Sequence, residues 1–228
     1  MSARDGHDAA ARAATARIKV KICGVRDSGT AAIAAEAGAD FIGVVLVAQS
    51  PRFVAPDDAR ELAAAIADAG AMPVAVLRLP ADGAPLDAAT RTALEAFPIL
   101  QFHGGEQPAD LAPFRAWECW KGLHFAPAAT ESWLGSGRVA RLVVDGPEAG
   151  SGDAWDHSAL AALDARTRAR CLLAGGLGPD TVGAAIRAAD PWGVDVSSGV
   201  EVARGVKDHA RIRAFIDAAR AGERSARR

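Results

Sequence analysis

The chain has 228 residues, is 50% hydrophobic and carries a formal net charge of -2. This length suits one large α/β domain, and the near-neutral charge argues against the basic excess of a nucleic-acid-binding surface. The longest apolar run, residues 41–48, is far shorter than the ~20 residues that a membrane helix needs. Three widely separated cysteines show no disulfide or metal-ligand spacing, which indicates a reducing, cytoplasmic setting without a bound metal.

The chain shows no internal composition break, so we predict one domain over residues 18–220. Residues 1–17 are rich in alanine, arginine and aspartate and lack the apolar segment of a secretory signal. We expect them to form a disordered extension. Residues 221–228 end the chain with a basic segment, which we predict to be a flexible tail.

Short β-like runs alternate with alanine-rich helical segments along this domain. The candidate strands are residues 19–23, 40–47, 73–77, 99–103, 118–124, 141–145, 171–174 and 193–197. Each strand–helix unit takes about 20 to 33 residues, as crossovers in a parallel sheet do. Eight such units predict a single-domain (β/α)8 TIM barrel of the α/β class. An open, doubly wound sheet is the alternative, but no Gly-x-Gly-x-x-Gly follows the first strand.

Helix boundaries are marked by a few residues with specific local preferences. Asp27 is the predicted N-cap of the first helix, and Gly38 its C-terminal stop. Pro113 lies inside the fourth helical segment, where it removes a backbone donor. We therefore expect that element to be short or bent.

Two strands end on residues that can move protons. Cys23 closes the first strand and is followed by Gly24, which permits a sharp turn; Asp145 closes the sixth. Catalytic groups of a barrel come from this edge of the sheet, so the two form a candidate acid–base couple. The alternatives are a buried cysteine that packs as a small hydrophobe, and an aspartate that caps a helix or forms an ion pair.

Two further strands lead to candidate binding residues. Arg52 follows Pro51 in the loop after the second strand, and its planar fork suits a carboxylate or phosphate. His103 ends the fourth strand, where it could orient substrate or donate a hydrogen bond. A solvated surface arginine and a structural histidine remain the alternatives.

Glycine-rich turns follow the seventh and eighth strands. They run AGGLGP at residues 174–179 and DVSSGVE at residues 195–201. The backbone N–H groups of such turns form a phosphate cradle, and this barrel type binds phosphate after these two strands. Tight turns without a ligand are the alternative. The candidate substrate-binding residues in these segments are Gly176, Asp195, Ser198 and Gly199.

Eight segments together resemble one known family. They are VKICG at 20–24, GADFIG at 38–43, SPR at 50–52, LQFHG at 100–104, VD at 144–145, GGL at 175–177, VDVSSGVE at 194–201 and KD at 207–208. In this order they are similar to the phosphoribosylanthranilate isomerases of tryptophan biosynthesis. The resemblance implies a TIM barrel without cofactor, which converts N-(5-phosphoribosyl)anthranilate to 1-(2-carboxyphenylamino)-1-deoxyribulose 5-phosphate by an Amadori rearrangement.

The resemblance also implies roles for particular residues. Cys23 matches the general base that removes the proton from the sugar C2, and Asp145 matches the general acid that protonates the furanose ring oxygen. Arg52 matches the arginine that recognises the anthranilate end of the substrate. The glycines and Ser198 fall in the family's phosphate-binding loops. The implied partner is a small phosphosugar, and barrels of this type act as monomers or homodimers.

Some positions depart from the family pattern. They are Arg78 and His124 after strands three and five, the shortened glycine loop at 150–152, and the Trp155–Asp156–His157 segment. These departures support a second hypothesis, a phosphosugar-binding paralogue without efficient catalysis or with altered specificity. A third hypothesis is an isomerase acting on the related histidine-pathway substrate. The single phosphate cradle disfavours it, because a bisphosphorylated ligand needs a second one.

Overall fold

Eight parallel strands close into a barrel in chain order, and β8 pairs with β1. The computed structural model describes residues 17–146 and 157–226, so residues 1–16 of the extension predicted over 1–17, and the 150–152 loop, lie outside the described residues. The strands are β1 Lys19–Cys23, β2 Phe41–Val45, β3 Met72–Leu77, β4 Ile99–Phe102, β5 Glu118–His124, β6 Arg141–Asp145, β7 Cys171–Leu173 and β8 Gly193–Val196. The predicted (β/α)8 TIM barrel is therefore confirmed, and the open sheet is not.

Helices surround the barrel. They are α1 Ser28–Ala37, α2 Pro56–Asp68, α3 Ala88–Leu94, α4 Pro127–Gly135, α5 Ser158–Ala161, α6 Ala165–Arg168, α7 Val182–Ala189 and α8 His209–Ala226, with 3-10 helices at Pro108–Phe114 and Ser198–Val200. Helix α8 thus continues past residue 220, where we predicted the barrel domain to end. A small hairpin that the sequence did not predict, β9 Glu201–Ala203 and β10 Val206–Lys207, precedes it. No helix among the described residues is both long and apolar enough to cross a membrane.

The predicted helix boundaries follow from local chemistry. The Asp27 side chain accepts a hydrogen bond from the Thr30 backbone N–H at 2.8 Å, which satisfies a free donor at the start of α1. Gly38 ends the helix with φ 102°, a left-handed conformation that costs glycine little. Pro113 lies in the 3-10 helix, which is short, as its missing N–H predicts.

The two faces of each strand have different partners. On β1, Val20 and Ile22 pack in the layer between strands and helices, so Lys21 and Cys23 face the barrel interior. The amino-terminal end of that interior is apolar. Its largest member, Trp120, lies 5.0 Å from Phe41 between ring centroids. This apolar layer supports the polar groups at the carboxyl-terminal end of the barrel.

Candidate active site

All eight predicted site residues line one cavity of about 410 Å³ at the carboxyl-terminal ends of the strands. They are Cys23, Arg52, His103, Asp145, Gly176, Asp195, Ser198 and Gly199. They converge because parallel strands of a barrel all end at the same rim. A larger groove of about 970 Å³ lies beside α3 and the first 3-10 helix, and none of the eight residues lines it.

Cys23 lies at the end of β1, with 8% of its surface exposed. The turn at Gly24 has φ 77°, and a Cβ there would collide with the Arg52 side chain, so glycine is needed on both counts. Burial raises the pKa of the Cys23 thiol, Lys21 opposes that rise, and Asp195 adds to it. The thiol is therefore protonated at rest, and its charge state depends on its immediate neighbours.

Lys21 is a site residue that the sequence analysis missed. Its side chain is fully buried, and Nζ donates a hydrogen bond to Asp195 Oδ1 at 2.8 Å. Burial alone would lower the pKa of Lys21, yet Asp195 and Cys23 raise it above its ordinary value. The available signal was its position, since a charged residue two places before Cys23 shares the inward face of the strand. Asp195, which we expected to bind substrate, is the partner of this ammonium.

Asp145 lies at the end of β6, and its Oδ2 is 3.5 Å from His103 Nε2. Burial, followed by the negative charge of Asp195, raises the pKa of Asp145 to about 6. A carboxyl group with this pKa holds its proton to a higher pH than an exposed aspartate does. That is the property which proton donation to a substrate oxygen requires.

His103 is held in one orientation by its surroundings. A Cβ on Gly122 would collide with its ring, and Gln101 Nε2 lies 3.3 Å from His103 Nδ1. Burial, together with the charge of Lys121, lowers the pKa of His103 to about 4, so the ring is neutral. If Gln101 donates to Nδ1, the ring proton lies on Nε2 and points to Asp145.

Arg52 is fixed by a carboxylate that the sequence did not assign to it. Its Nε and Nη2 donate to Glu201 Oε1 at 2.6 Å and Oε2 at 2.9 Å, and Lys207 Nζ donates to the same carboxylate at 2.9 Å. Burial would raise the pKa of Glu201, but hydrogen bonds from Arg52 and Lys207 lower it to about 2. The Arg52 guanidinium is thus held at the cavity wall, and its edge formed by Nε and Nη2 is already hydrogen-bonded to Glu201.

The glycine turns that follow β7 and β8 form one side of the cavity. Gly175 and Gly176 have φ 81° and 67°, values that residues with a side chain rarely adopt. A Cβ on Gly199 would overlap the Leu177 carbonyl oxygen, so the second turn can approach the first only with glycine there. Ser198 begins the short 3-10 helix that follows. The two predicted phosphate loops therefore form one continuous wall.

Of the residues that depart from the family pattern, one lies in the cavity and another lies at the end of a strand. Arg78 lines the cavity, and its Nε donates to the His103 carbonyl oxygen at 2.8 Å. His124 Nδ1 lies 2.7 Å from the Gly146 carbonyl oxygen, beyond the end of β6. Arg78 thus belongs to the site, whereas the 150–152 loop is outside the described residues.

Comparison with known proteins identifies the family. A family model described as N-(5'-phosphoribosyl)anthranilate (PRA) isomerase matches residues 20–218. The protein called N-(5'-phosphoribosyl)anthranilate isomerase of Roseiflexus sp. is 43% identical over 218 residues, which cover 90% of this chain and 98% of the relative.

Comparison with solved structures identifies the same family. The crystal structure of TrpF from Jonesia denitrificans is 37% identical with a TM-score of 0.71, covering 90% of this chain and 97% of its own. Another crystal structure is that of a phosphoribosyl anthranilate isomerase in complex with reduced 1-(o-carboxyphenylamino)-1-deoxyribulose 5-phosphate. It is 27% identical with a TM-score of 0.73, and the match covers 90% of this chain and 99% of that chain. These likenesses do not favour a non-catalytic paralogue. The chain belongs to the phosphoribosylanthranilate isomerase family, whose members are isomerases of tryptophan biosynthesis.

Proposed function

We propose that this barrel catalyses the Amadori rearrangement of N-(5'-phosphoribosyl)anthranilate, with Asp145 as the general acid and Cys23 as the general base. The observation that carries the proposal is that a carboxyl group with a pKa of about 6 and a thiol line one cavity. They project from β6 and β1, which β7 and β8 separate in the barrel. A substrate in the cavity can therefore meet them from different sides.

The first step opens the sugar ring. Asp145 gives its proton to the furanose oxygen while the bond from that oxygen to C1 breaks, which leaves a C1–nitrogen iminium. Neutral His103, aligned by Gln101, supports the carboxyl group through Nε2. Such a positioned acid contributes about 10²–10⁴-fold to the rate.

The second step forms the enolamine. The Cys23 thiolate removes the proton from C2, and the electron pair moves to form C1=C2 and neutralise the nitrogen. The enol then loses the proton of its C2 hydroxyl and gains a proton at C1, which gives the ketone. The substrate gains two protons, at the ring oxygen and C1, and loses two, from C2 and its hydroxyl, so the product is an isomer. A thiolate is required because the thiol itself is not a base.

The two ends of the substrate fit the two walls of the cavity. We propose that the phosphate binds against the glycine turns of Gly176 and Gly199, where backbone N–H groups can approach it closely. The anthranilate carboxylate binds the guanidinium edge of Arg52 that Glu201 does not use. Glu201 holds the guanidinium in place through its other edge, and Lys207 donates to the same carboxylate.

The function is tested by adding N-(5'-phosphoribosyl)anthranilate to the purified protein and following the loss of substrate fluorescence. We expect turnover without added metal or cofactor. Calorimetry with the reduced product analogue is run in parallel. Binding of the analogue without turnover contradicts the proposal and supports the phosphosugar-binding paralogue.

The proposal predicts a bell-shaped dependence of kcat/KM on pH. The reactive form holds the proton on Asp145 and lacks it on Cys23, although the thiol has the higher pKa. The population of this form rises with pH up to about 6, stays level, and falls once pH passes the pKa of Cys23. Rate measurements from pH 4 to 10 check the acid limb and the level region above it.

Asp145→Asn is the control for the acid limb. The substrate phosphate also titrates near pH 6, so its effect on the pH profile must be separated from the effect of Asp145. In the variant, the break near pH 6 that is due to Asp145 disappears, and apart from the contribution of the phosphate the residual rate goes on rising toward the pKa of Cys23. A break near pH 6 of the same size in the variant would mean that Asp145 does not titrate during catalysis.

We also propose that the enzyme acts in the cytoplasm, as a monomer or a homodimer. The support is that every residue assigned above comes from one chain and that the phosphorylated substrate is charged and does not cross a membrane unaided.

A further inference from the structure

Lys21 places a buried positive charge beside the proposed base. Its side chain is 0% exposed, and Nζ donates a hydrogen bond to Asp195 Oδ1 and is also hydrogen-bonded to the side chain of Cys23. An ammonium has three N–H donors, so it can hold both groups at once. Buried ion pairs contribute little to fold stability, because removing both charges from water offsets their attraction. Stability alone therefore does not explain a lysine at this position.

Gly43 on β2 shows where Lys21 and Cys23 approach each other. A Cβ added at Gly43 would lie 2.9 Å from Cys23 Sγ and 3.2 Å from Lys21 Nζ. The thiol and the ammonium therefore converge on the same small space, which the missing side chain leaves open. Both groups project inward from β1, two residues apart.

We propose that Lys21 is a positioning residue that stabilises the thiolate of Cys23. At rest the ammonium is paired with Asp195. When Cys23 loses its proton, the hydrogen bond between Lys21 and the sulfur becomes charge-assisted on both sides, and the negative charge is formed beside a fixed cation. The inference rests on the proposed role of Cys23 as the base.

The other charged groups around the thiol do not replace Lys21. Asp195 on β8 acts in the opposite direction, since its charge disfavours the thiolate. Lys207 on β10 acts on the thiol less strongly than Lys21 does, and Arg52 packs the aliphatic part of its side chain against Gly24. Both of these cations are hydrogen-bonded to Glu201, whose charge offsets theirs.

The test is the pH dependence of Cys23 alkylation by iodoacetamide, measured by mass spectrometry without substrate. We expect Lys21→Met to slow alkylation about tenfold at neutral pH and to move its titration to higher pH, because the thiolate loses its cation. Asp195→Asn should do the reverse, since it removes the competing anion. A structural role for the pair predicts shifts of the same sign in both variants.

Two further variants keep the test decisive. Lys121→Met removes another buried lysine, which is paired with Glu106 and does not act on Cys23, and should leave the titration unchanged. If Lys21→Met fails to fold, Lys21→Met/Asp195→Asn avoids an unpaired buried charge, and its Cys23 must react more slowly than that of Asp195→Asn. Equal rates in these two variants overturn the inference. They leave the isomerase function intact, which turnover of the wild-type protein tests separately.

Discussion

Replacing the Cys23 thiol is expected to remove most of the activity. We expect Cys23→Ser to lower kcat/KM by at least ~10²-fold, because a serine hydroxyl hardly ionises at neutral pH and cannot take the proton from C2. The side chains are of similar size, and a serine hydroxyl can keep the hydrogen bond to Lys21. The measurement is substrate fluorescence decay under conditions where the wild-type enzyme is far from saturation.

Cys119 provides the matched control. It is also buried, but its Sγ donates to the Phe114 carbonyl oxygen outside the cavity. Cys119→Ser keeps a donor for that carbonyl and should leave kcat/KM unchanged. Turnover retained in Cys23→Ser would remove the base from its proposed role, whereas a loss in both variants would indicate a general effect of serine on the fold.

The barrel was predictable from local sequence because its strands are short apolar runs between helical segments. The predicted strand 40–47 is β2 Phe41–Val45, and 193–197 is β8 Gly193–Val196. The differences lie at strand ends, where the last residues turn toward the cavity. Such ends depend on which neighbouring strand supplies hydrogen bonds, and that is a tertiary property.

The β9–β10 hairpin was not predicted for a related reason. It contains five strand residues and little apolar alternation, so no local pattern marks it. Gly205, with φ 81°, turns the chain between its strands. The hairpin instead depends on Glu201, whose carboxylate pairs with Lys207 and with Arg52.

The candidate site was predictable where it depends on strand ends, and not where it depends on side-chain pairs. Cys23 and Asp145 each close an apolar strand, and the rim of a parallel barrel brings such residues together. The Lys21–Asp195 pair joins residues 174 positions apart, and Arg52–Glu201 joins residues 149 positions apart. No spacing rule in one sequence links residues at such distances; only the closed barrel does.

Removing the carboxyl group of Asp145 is the second change with a large expected effect. We expect Asp145→Asn to lower kcat by at least ~10²-fold with little change in KM, because the amide keeps the shape and the contact with His103 but cannot give up a proton. Steady-state rates over a range of substrate concentrations separate the two parameters. A normal kcat in this variant would exclude Asp145 as the acid.

Asp190→Asn is the matched control for this aspartate. Asp190 ends α7 in a left-handed conformation, with φ 46°, which asparagine also tolerates. Its side chain is largely exposed and lies outside the cavity. The same chemical change should therefore leave turnover unchanged at this position.

The stability of Asp145→Asn gives an independent check on the raised pKa. The folded protein holds the Asp145 proton up to a pH of about 6, whereas the unfolded chain releases it near the ordinary value of 3.8. Between these values the folded state binds more protons, so wild-type stability falls as pH rises. The amide carries no such charge. We therefore expect the variant to melt at a higher temperature than wild type at pH 7 and at nearly the same temperature below about pH 4, so the side chain that limits stability at neutral pH is the one that supplies the proton.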